Sequence, residues 1–125
     1  MRNKIIVASN NDIIRKLLMT WVDICLPGAE IIESQTGEEA ANLSSREMPH
    51  LAVMDLGLSG GYVINTIRRL KELSPGTNII VYTAFDCFQE EALKAGASDY
   101  IICNSSRDAF FKALRDLMTA EGRRI

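Results

Sequence analysis

The chain has 125 residues, 47% hydrophobic and 24% charged, with a formal net charge of −2. That length and balance suit one globular domain spanning 1–125 with a core of its own, and they exclude a disordered or low-complexity chain. The slight acidity gives no electrostatic grounds for direct nucleic-acid binding or for docking on an anionic membrane, so the basic pairs Arg68-Arg69 and Arg123-Arg124 read as solvated helix and tail charges.

The first strand is Lys4 to Ala8, with Ile5-Ile6-Val7 at its centre. A helix from Asp12 to Leu26 follows, its apolar positions Ile13, Ile14, Leu17, Leu18, Trp21, Val22 and Cys25 falling at helical spacing until Pro27-Gly28 stops it. A second strand runs from Glu30 to Glu33. Thr36-Gly37-Glu38-Glu39 opens a second helix, with acids in the turn that the macrodipole favours.

The third strand is Leu51 to Met54, with Asp55 just past its end, and the third helix runs from Tyr62 to Leu73. A turn at Pro75-Gly76 leads to the fourth strand, Asn78 to Tyr82. The fourth helix spans Phe88 to Ala95, with Gly96 as its C-cap. The fifth strand is Asp99 to Cys103. Ser105-Ser106-Arg107-Asp108 has capping-box spacing and opens a fifth helix with Phe110, Ala113, Leu114, Leu117 and Met118 on one side and Phe111 exposed opposite.

The strands are continuous apolar runs rather than alternating ones. Such runs are buried on both faces, as in a parallel sheet covered by helices, and right-handed crossovers then give a three-layer sandwich. No apolar stretch approaches the ~18 residues of a membrane-spanning helix. Met1-Arg2-Asn3-Lys4 opens no export signal, and Cys25, Cys87 and Cys103 are an odd number without C-x-x-C spacing. A reducing cytoplasm, without a disulfide framework or zinc site, is the expectation. His50 precedes a strand with no partner motif, which argues against a catalytic use.

In a parallel sheet the carboxyl ends of the strands gather on one rim, where sites of open α/β folds form. Here that rim carries Ser9, Asn10, Asn11, Asp55, Thr83, Cys103 and Asn104. Asn10, Asn11 and Ser106 read as helix caps. Asp55 does so less well, because the next helix begins several residues later.

The segments Pro49-His50-Leu51-Ala52-Val53-Met54-Asp55-Leu56-Gly57-Leu58 and Ala92-Leu93-Lys94-Ala95-Gly96-Ala97-Ser98-Asp99-Tyr100, with Lys4 to Ala8 and Arg15, resemble the response-regulator receiver domain of two-component signalling over nearly the whole chain. The resemblance implies a flavodoxin-like α/β fold, a three-layer αβα sandwich whose five parallel strands lie in the order 2-1-3-4-5. It implies that Asp55 holds the phosphoacceptor position, where a carboxylate becomes an acyl phosphate. Thr83 falls at the switch hydroxyl and Tyr100 at the switch aromatic. Mg2+ is the implied cofactor, with Asp55, the Gly57 carbonyl and Asn10 as its ligand positions. The implied partners are a sensor histidine kinase or phosphotransfer protein, or another signalling protein. With Phe111 exposed on helix five and Phe85 and Phe88 near the expected signalling face, a homodimer through helix four, strand five and helix five is a further expectation.

The departures from the family pattern are chemical. Its acidic pair falls on Ser9 and Asn10, its lysine on Cys103, the following proline on Asn104, the proline after the phosphoacceptor on Ser59, and the Asp-Gly of helix three on Tyr62-Val63. The stretch from Thr83 to Gly96 is also short, so helix four is expected to start late or be loose. Three carboxylates and a lysine sum to −2, whereas Asp55 alone supplies −1. Losing one charged hydrogen bond costs about 1.5–3 kcal/mol, roughly ten- to over a hundredfold in an equilibrium constant. Any Mg2+ site is therefore expected to be weak, and phosphorylation of Asp55 slow, weak or absent. Cys103 is expected to pack at the strand end rather than to act as a redox thiol.

Two functional classes follow. One is an atypical receiver that still takes a phosphoryl group on Asp55. The other is a phosphorylation-independent receiver-like interaction module. Neither is an enzyme, and a nucleotide-binding enzyme of similar fold is disfavoured because Ala8-Ser9-Asn10-Asn11 holds no glycine-rich phosphate loop.

Overall fold

A computed structural model describes residues 3–55, 63–84, 87–103 and 107–122, with side chains described for 3–55, 64–84, 87–103 and 107–118. Five strands and five helices alternate: β1 (Lys4–Ala8), α1 (Asp12–Cys25), β2 (Glu30–Ser34), α2 (Gly37–Glu47), β3 (Leu51–Asp55), α3 (Val63–Leu73), β4 (Asn78–Thr83), α4 (Gln89–Ala95), β5 (Asp99–Ile102) and α5 (Arg107–Gly122). The strands form one parallel sheet in the order β2-β1-β3-β4-β5, as the sequence led us to expect.

The sheet is apolar on both faces because strand residues alternate sides. Ile5, Val7, Leu51, Val53 and Ile80 join Leu18 and Val22 of α1 and Phe110 and Leu114 of α5 in one layer of core. Ile6, Ala52, Met54, Ile79 and Val81 join Ala40 of α2, Ile67 and Leu70 of α3 and Ala92 of α4 in the other. Filling both sides of five short strands explains why the strands read as unbroken apolar runs.

The helix ends follow local chemistry. Asn11 caps α1, its side-chain oxygen accepting from the amides of Ile13 and Ile14. At α2, Thr36 Oγ1 accepts from the Glu39 amide at 3.1 Å while Glu39 Oε1 accepts from the Gln35 amide at 3.0 Å, so the acid in the first turn also closes the entry to the helix. Gly96 ends α4 with φ +123, a conformation that suits glycine. Met48 ends α2 in the left-handed region with φ 47 and no glycine to ease it.

Several boundaries differ from the sequence reading. Asp55 and Thr83 belong to their strands, because the parallel ladder continues through the Asp55–Tyr82 and Thr83–Ile102 register. β2 runs on to Ser34, whose carbonyl accepts from the Ser9 amide at 3.0 Å. α1 stops at Cys25 with Leu26 as its cap, and α3 begins at Val63. α4 does start late, at Gln89, and its cap residue Phe88 makes no side-chain capping bond.

Two side chains are placed differently from expectation. Phe111 is not exposed: it is partly buried against the α1–α5 core layer, its ring edge-on to Trp21 at 6.3 Å, because the large indole reaches across from α1. Cys103 does not pack: β5 ends at Ile102, and Cys103 stands exposed in the turn beyond it. The expected capping serines Ser105 and Ser106, together with Phe85, Gly57, Ser59, Tyr62 and Asn104, lie outside the described residues.

Candidate functional site

The carboxyl ends of β1, β3, β4 and β5 bring Ser9, Asp55, Thr83 and Cys103 to one rim of the sheet. The Ala8–Met54 register places Ser9 beside Asp55, although 46 residues separate them in the chain. Ser9 is fully buried and its Oγ donates to Asp55 Oδ2 at 3.0 Å. The same Oγ accepts from the Asn11 amide at 3.1 Å, so α1 and β3 are joined through one hydroxyl. Asp55 itself is only partly buried.

Arg15 supports this corner from below. Its side chain comes from the first turns of α1 and is 5% exposed. Nη1 donates to the Ser9 carbonyl at 2.9 Å, Nη2 to Asp12 Oδ1 at 2.7 Å and Nε to Glu33 Oε1 at 3.0 Å. The bonds to Asp12 and Glu33 hold its guanidinium pKa above the ordinary value against the opposing effect of burial. A buried guanidinium with three acceptors is satisfied, and it fixes the strand end on which Ser9 sits.

Thr83 and Tyr100 are buried, 3% and 6% exposed. Tyr100 lies in the α2–α4 layer of the core, and by strand alternation Thr83 points to the side of Val81, in the same layer. Tyr82 faces the other layer, stacked edge-on to Trp21 and Phe110. Burial pushes its phenol pKa up, and the proximity of Cys103 and Asp55 adds to the rise. Cys103, Tyr82 and Asp55 are thus electrostatic neighbours. The Cys103 amide donates to the Thr83 carbonyl at 2.7 Å, which ties the turn after β5 to the end of β4.

The donor set at this rim is sparse for Mg2+. Asp55 is one carboxylate, Ser9 offers a neutral hydroxyl already committed to Asp55 and to the Asn11 amide, and Asn10 is an exposed residue. Among the described residues no group of three or more His, Cys, Asp or Glu converges to hold a metal ion. Mg2+ prefers carboxylate oxygens in near-octahedral geometry, so these residues fit it poorly.

Sequence reasoning marked Ser9 as a replaced acid but not as the direct partner of Asp55. It also missed Arg15 as the anchor of the corner. The available signal was an arginine three residues after Asp12 on the helix face that also carries Leu18 and Val22.

The model of the response regulator receiver domain family matches residues 5–115. The Escherichia coli K12 transcriptional regulatory protein PhoP is 30% identical over 100 residues, covering 78% of this chain and 44% of that protein. A cyclic di-GMP phosphodiesterase of Thermotoga maritima is 29% identical over 99 residues, covering 78% of this chain and 26% of that protein. The chain therefore spans about a quarter to under half the length of these relatives. Among solved structures, a LuxR-family two-component response regulator from Aurantimonas superposes with a TM-score of 0.87 at 24% identity over 96% of this chain and 87% of its own. A CheY-like receiver domain from Methanospirillum hungatei gives 0.84 at 22% identity over 98% of each chain.

Proposed function

The chain belongs to the response-regulator receiver domain family of two-component signalling, and from that premise we propose that it signals chiefly through surface contacts. In this reading Asp55 stands at the phosphoacceptor position but takes up a phosphoryl group slowly and holds it weakly. The observation that carries the reading is the 3.0 Å bond from Ser9 Oγ to Asp55 Oδ2. Where the family pattern calls for an acid that gathers a cation, this corner supplies a hydroxyl that donates to the nucleophilic carboxylate. A hydrogen bond to a charged group is worth about 1.5–3 kcal/mol, and here it stabilises the unmodified aspartate. A phosphoryl group adds a further −1.5 to −2 charge or so at neutral pH. The buried cation of this corner, Arg15, is already committed to Asp12, Glu33 and the Ser9 carbonyl.

The partners in this reading are a sensor histidine kinase, a phosphotransfer protein or another protein of a cytoplasmic signalling pathway. Phe88 and Leu93, at the start of α4 and within it, are exposed apolar side chains, which suits a transient protein contact. No turnover chemistry is assigned. A second reading, a working phosphoryl switch relayed through Thr83 and Tyr100, is favoured by one observation: Asp55 is partly exposed at the strand end.

A Mg2+ titration followed through the backbone amide signals of Ser9 and Asp55 tests the reading. The wild-type chain is expected to need at least about tenfold more Mg2+ than the Ser9→Asp/Asn10→Asp variant, since the variant restores charged ligands. Equal midpoints would contradict it.

A further inference from the structure

Among the described residues six large apolar side chains stand exposed, and three of them share one helix: Ile13 at 79%, Leu17 at 37% and Ile24 at 57%, all on α1. With the exposed Thr20 between them they recur at steps of four, three and four residues. They form a line on the side of α1 turned away from the sheet, since the opposite side buries Leu18 and Val22. An amphipathic surface helix carries polar residues on its outer face. Steps of four and three are instead the seam spacing by which two helices interlock. α1 thus carries one apolar face for its own core and a second that folding does not use.

We propose that α1 is a self-docking helix, two copies of this chain pairing their α1 helices antiparallel about a two-fold axis between Leu17 and Thr20. Ile13 of each copy then packs on Ile24 of the other, and Leu17 on Thr20. Charge selects this arrangement. Lys16 and Asp23 are exposed, and each lies immediately before a seam residue, on the same flank. Antiparallel packing sets Lys16, between the Ile13 and Leu17 layers, against Asp23 of the second copy, between its Thr20 and Ile24 layers, and the two-fold repeats the pair. Parallel packing would put the Lys16–Asp23 flanks of the two copies on opposite sides of the seam and make no such pair. Neither residue takes part in an ion pair among the described residues. The other flank is closed, because Trp21 is engaged with Phe110 and Phe111 of α5. A surface that complements itself under a two-fold is the pattern of an isologous dimer.

One helix pair lies at the small end of protein interfaces, below about 1,200 Å² in total. The association is accordingly weak, with a dissociation constant of about 10 µM to 1 mM. The inference does not depend on Asp55 or on phosphorylation.

Sedimentation velocity of the 125-residue chain over a concentration series up to about 1 mM tests it. The mean mass rises towards the dimer, and Ile24→Glu, at an exposed position, abolishes the rise while leaving circular dichroism unchanged. Lys16→Asp alone and Asp23→Lys alone each weaken association by about tenfold, by facing like charges twice across the axis. The double swap Lys16→Asp/Asp23→Lys restores it, which only antiparallel self-pairing accounts for. A chain that stays monomeric, an Ile24→Glu variant that associates like the wild type, or a double swap that fails to recover would each overturn the proposal. So would a monomer whose Ile24→Glu variant loses binding to a phosphotransfer protein, since the stripe would then belong to that partner.

Discussion

The two rims of this sheet are both polar, and they use polarity in opposite ways. At the rim where the strands begin, polar side chains bond to the backbone of neighbouring loops. Thr77 Oγ1 donates to the Pro49 carbonyl at 2.7 Å and shares a 2.6 Å bond with Ser74. His50 Nδ1 accepts from the Lys4 amide at 3.1 Å. Lys71 Nζ donates to the Pro75 and Thr77 carbonyls. At the rim where the strands end, the bonds run to a partly exposed carboxylate through Ser9 and to a buried guanidinium through Asp12 and Glu33. The first rim holds the loops in place. The second holds one partly exposed carboxylate at the carboxyl ends of the parallel strands, where sites of open α/β folds form.

If the first rim is structural, its loss is felt in stability. Thr77→Val leaves the buried Pro49 carbonyl and Ser74 hydroxyl short of a partner, and is expected to cost about 2–4 kcal/mol in urea unfolding. The second rim has one structural element, Arg15. Arg15→Met removes a charged bond to the Ser9 carbonyl and returns Asp12 and Glu33 to solvent, for a loss of about 1.5–3 kcal/mol. It also loosens Ser9 from Asp55, visible as altered amide shifts at both.

Smaller effects sharpen the contrast. Met48→Gly relieves the left-handed cap at φ 47 where α2 leads into the first rim, for a gain of about 0.5–1 kcal/mol. Asp55→Asn changes stability by less than about 1 kcal/mol, since the amide oxygen still accepts from Ser9. A loss as large as that of Thr77→Val would erase the distinction between the rims.

The smallest effect is a pH dependence. Lys4, hydrogen-bonded and ion-paired at 3.2 Å, holds the Glu47 carboxyl below the usual glutamate value, with Arg46 adding to it. A depressed folded-state pKa stabilises above the unfolded value of about 4.3, and the contribution is lost as pH falls below that through the lowered value. Glu47→Gln therefore lowers stability slightly at neutral pH, leaves it unchanged below the lowered pKa, and so flattens the acid limb of a stability–pH curve.

The fold was legible because its signals are local. Apolar runs such as Ile5-Ile6-Val7 and Leu51-Ala52-Val53-Met54, punctuated by Pro27-Gly28 and Pro75-Gly76, mark strands and turns without tertiary information. Asp55 was legible as a strand-end carboxylate for the same reason. The bond from Ser9 was not, since it exists only once β1 and β3 pair in register. Nor was the burial of Arg15, because periodicity counts an arginine as polar and cannot see three acceptors converging on it. Phe111 falls off the apolar stripe of α5 by spacing, and it is the Trp21 ring from another helix that covers it. The fifth strand stops one residue early, which leaves Cys103 in solvent.

The central claim is that Asp55 keeps the place of a phosphoacceptor while its surroundings have lost the charges that drive phosphoryl uptake. Intact mass after incubation with acetyl phosphate and Mg2+ tests it most directly, with the wild-type chain run beside Asp55→Asn, Ser9→Asp/Asn10→Asp and an ordinary receiver domain. The account predicts at most a trace of singly phosphorylated wild type, more in the Ser9→Asp/Asn10→Asp variant, and none in Asp55→Asn. Wild-type labelling as fast and complete as that of the ordinary receiver, absent in Asp55→Asn, would contradict it.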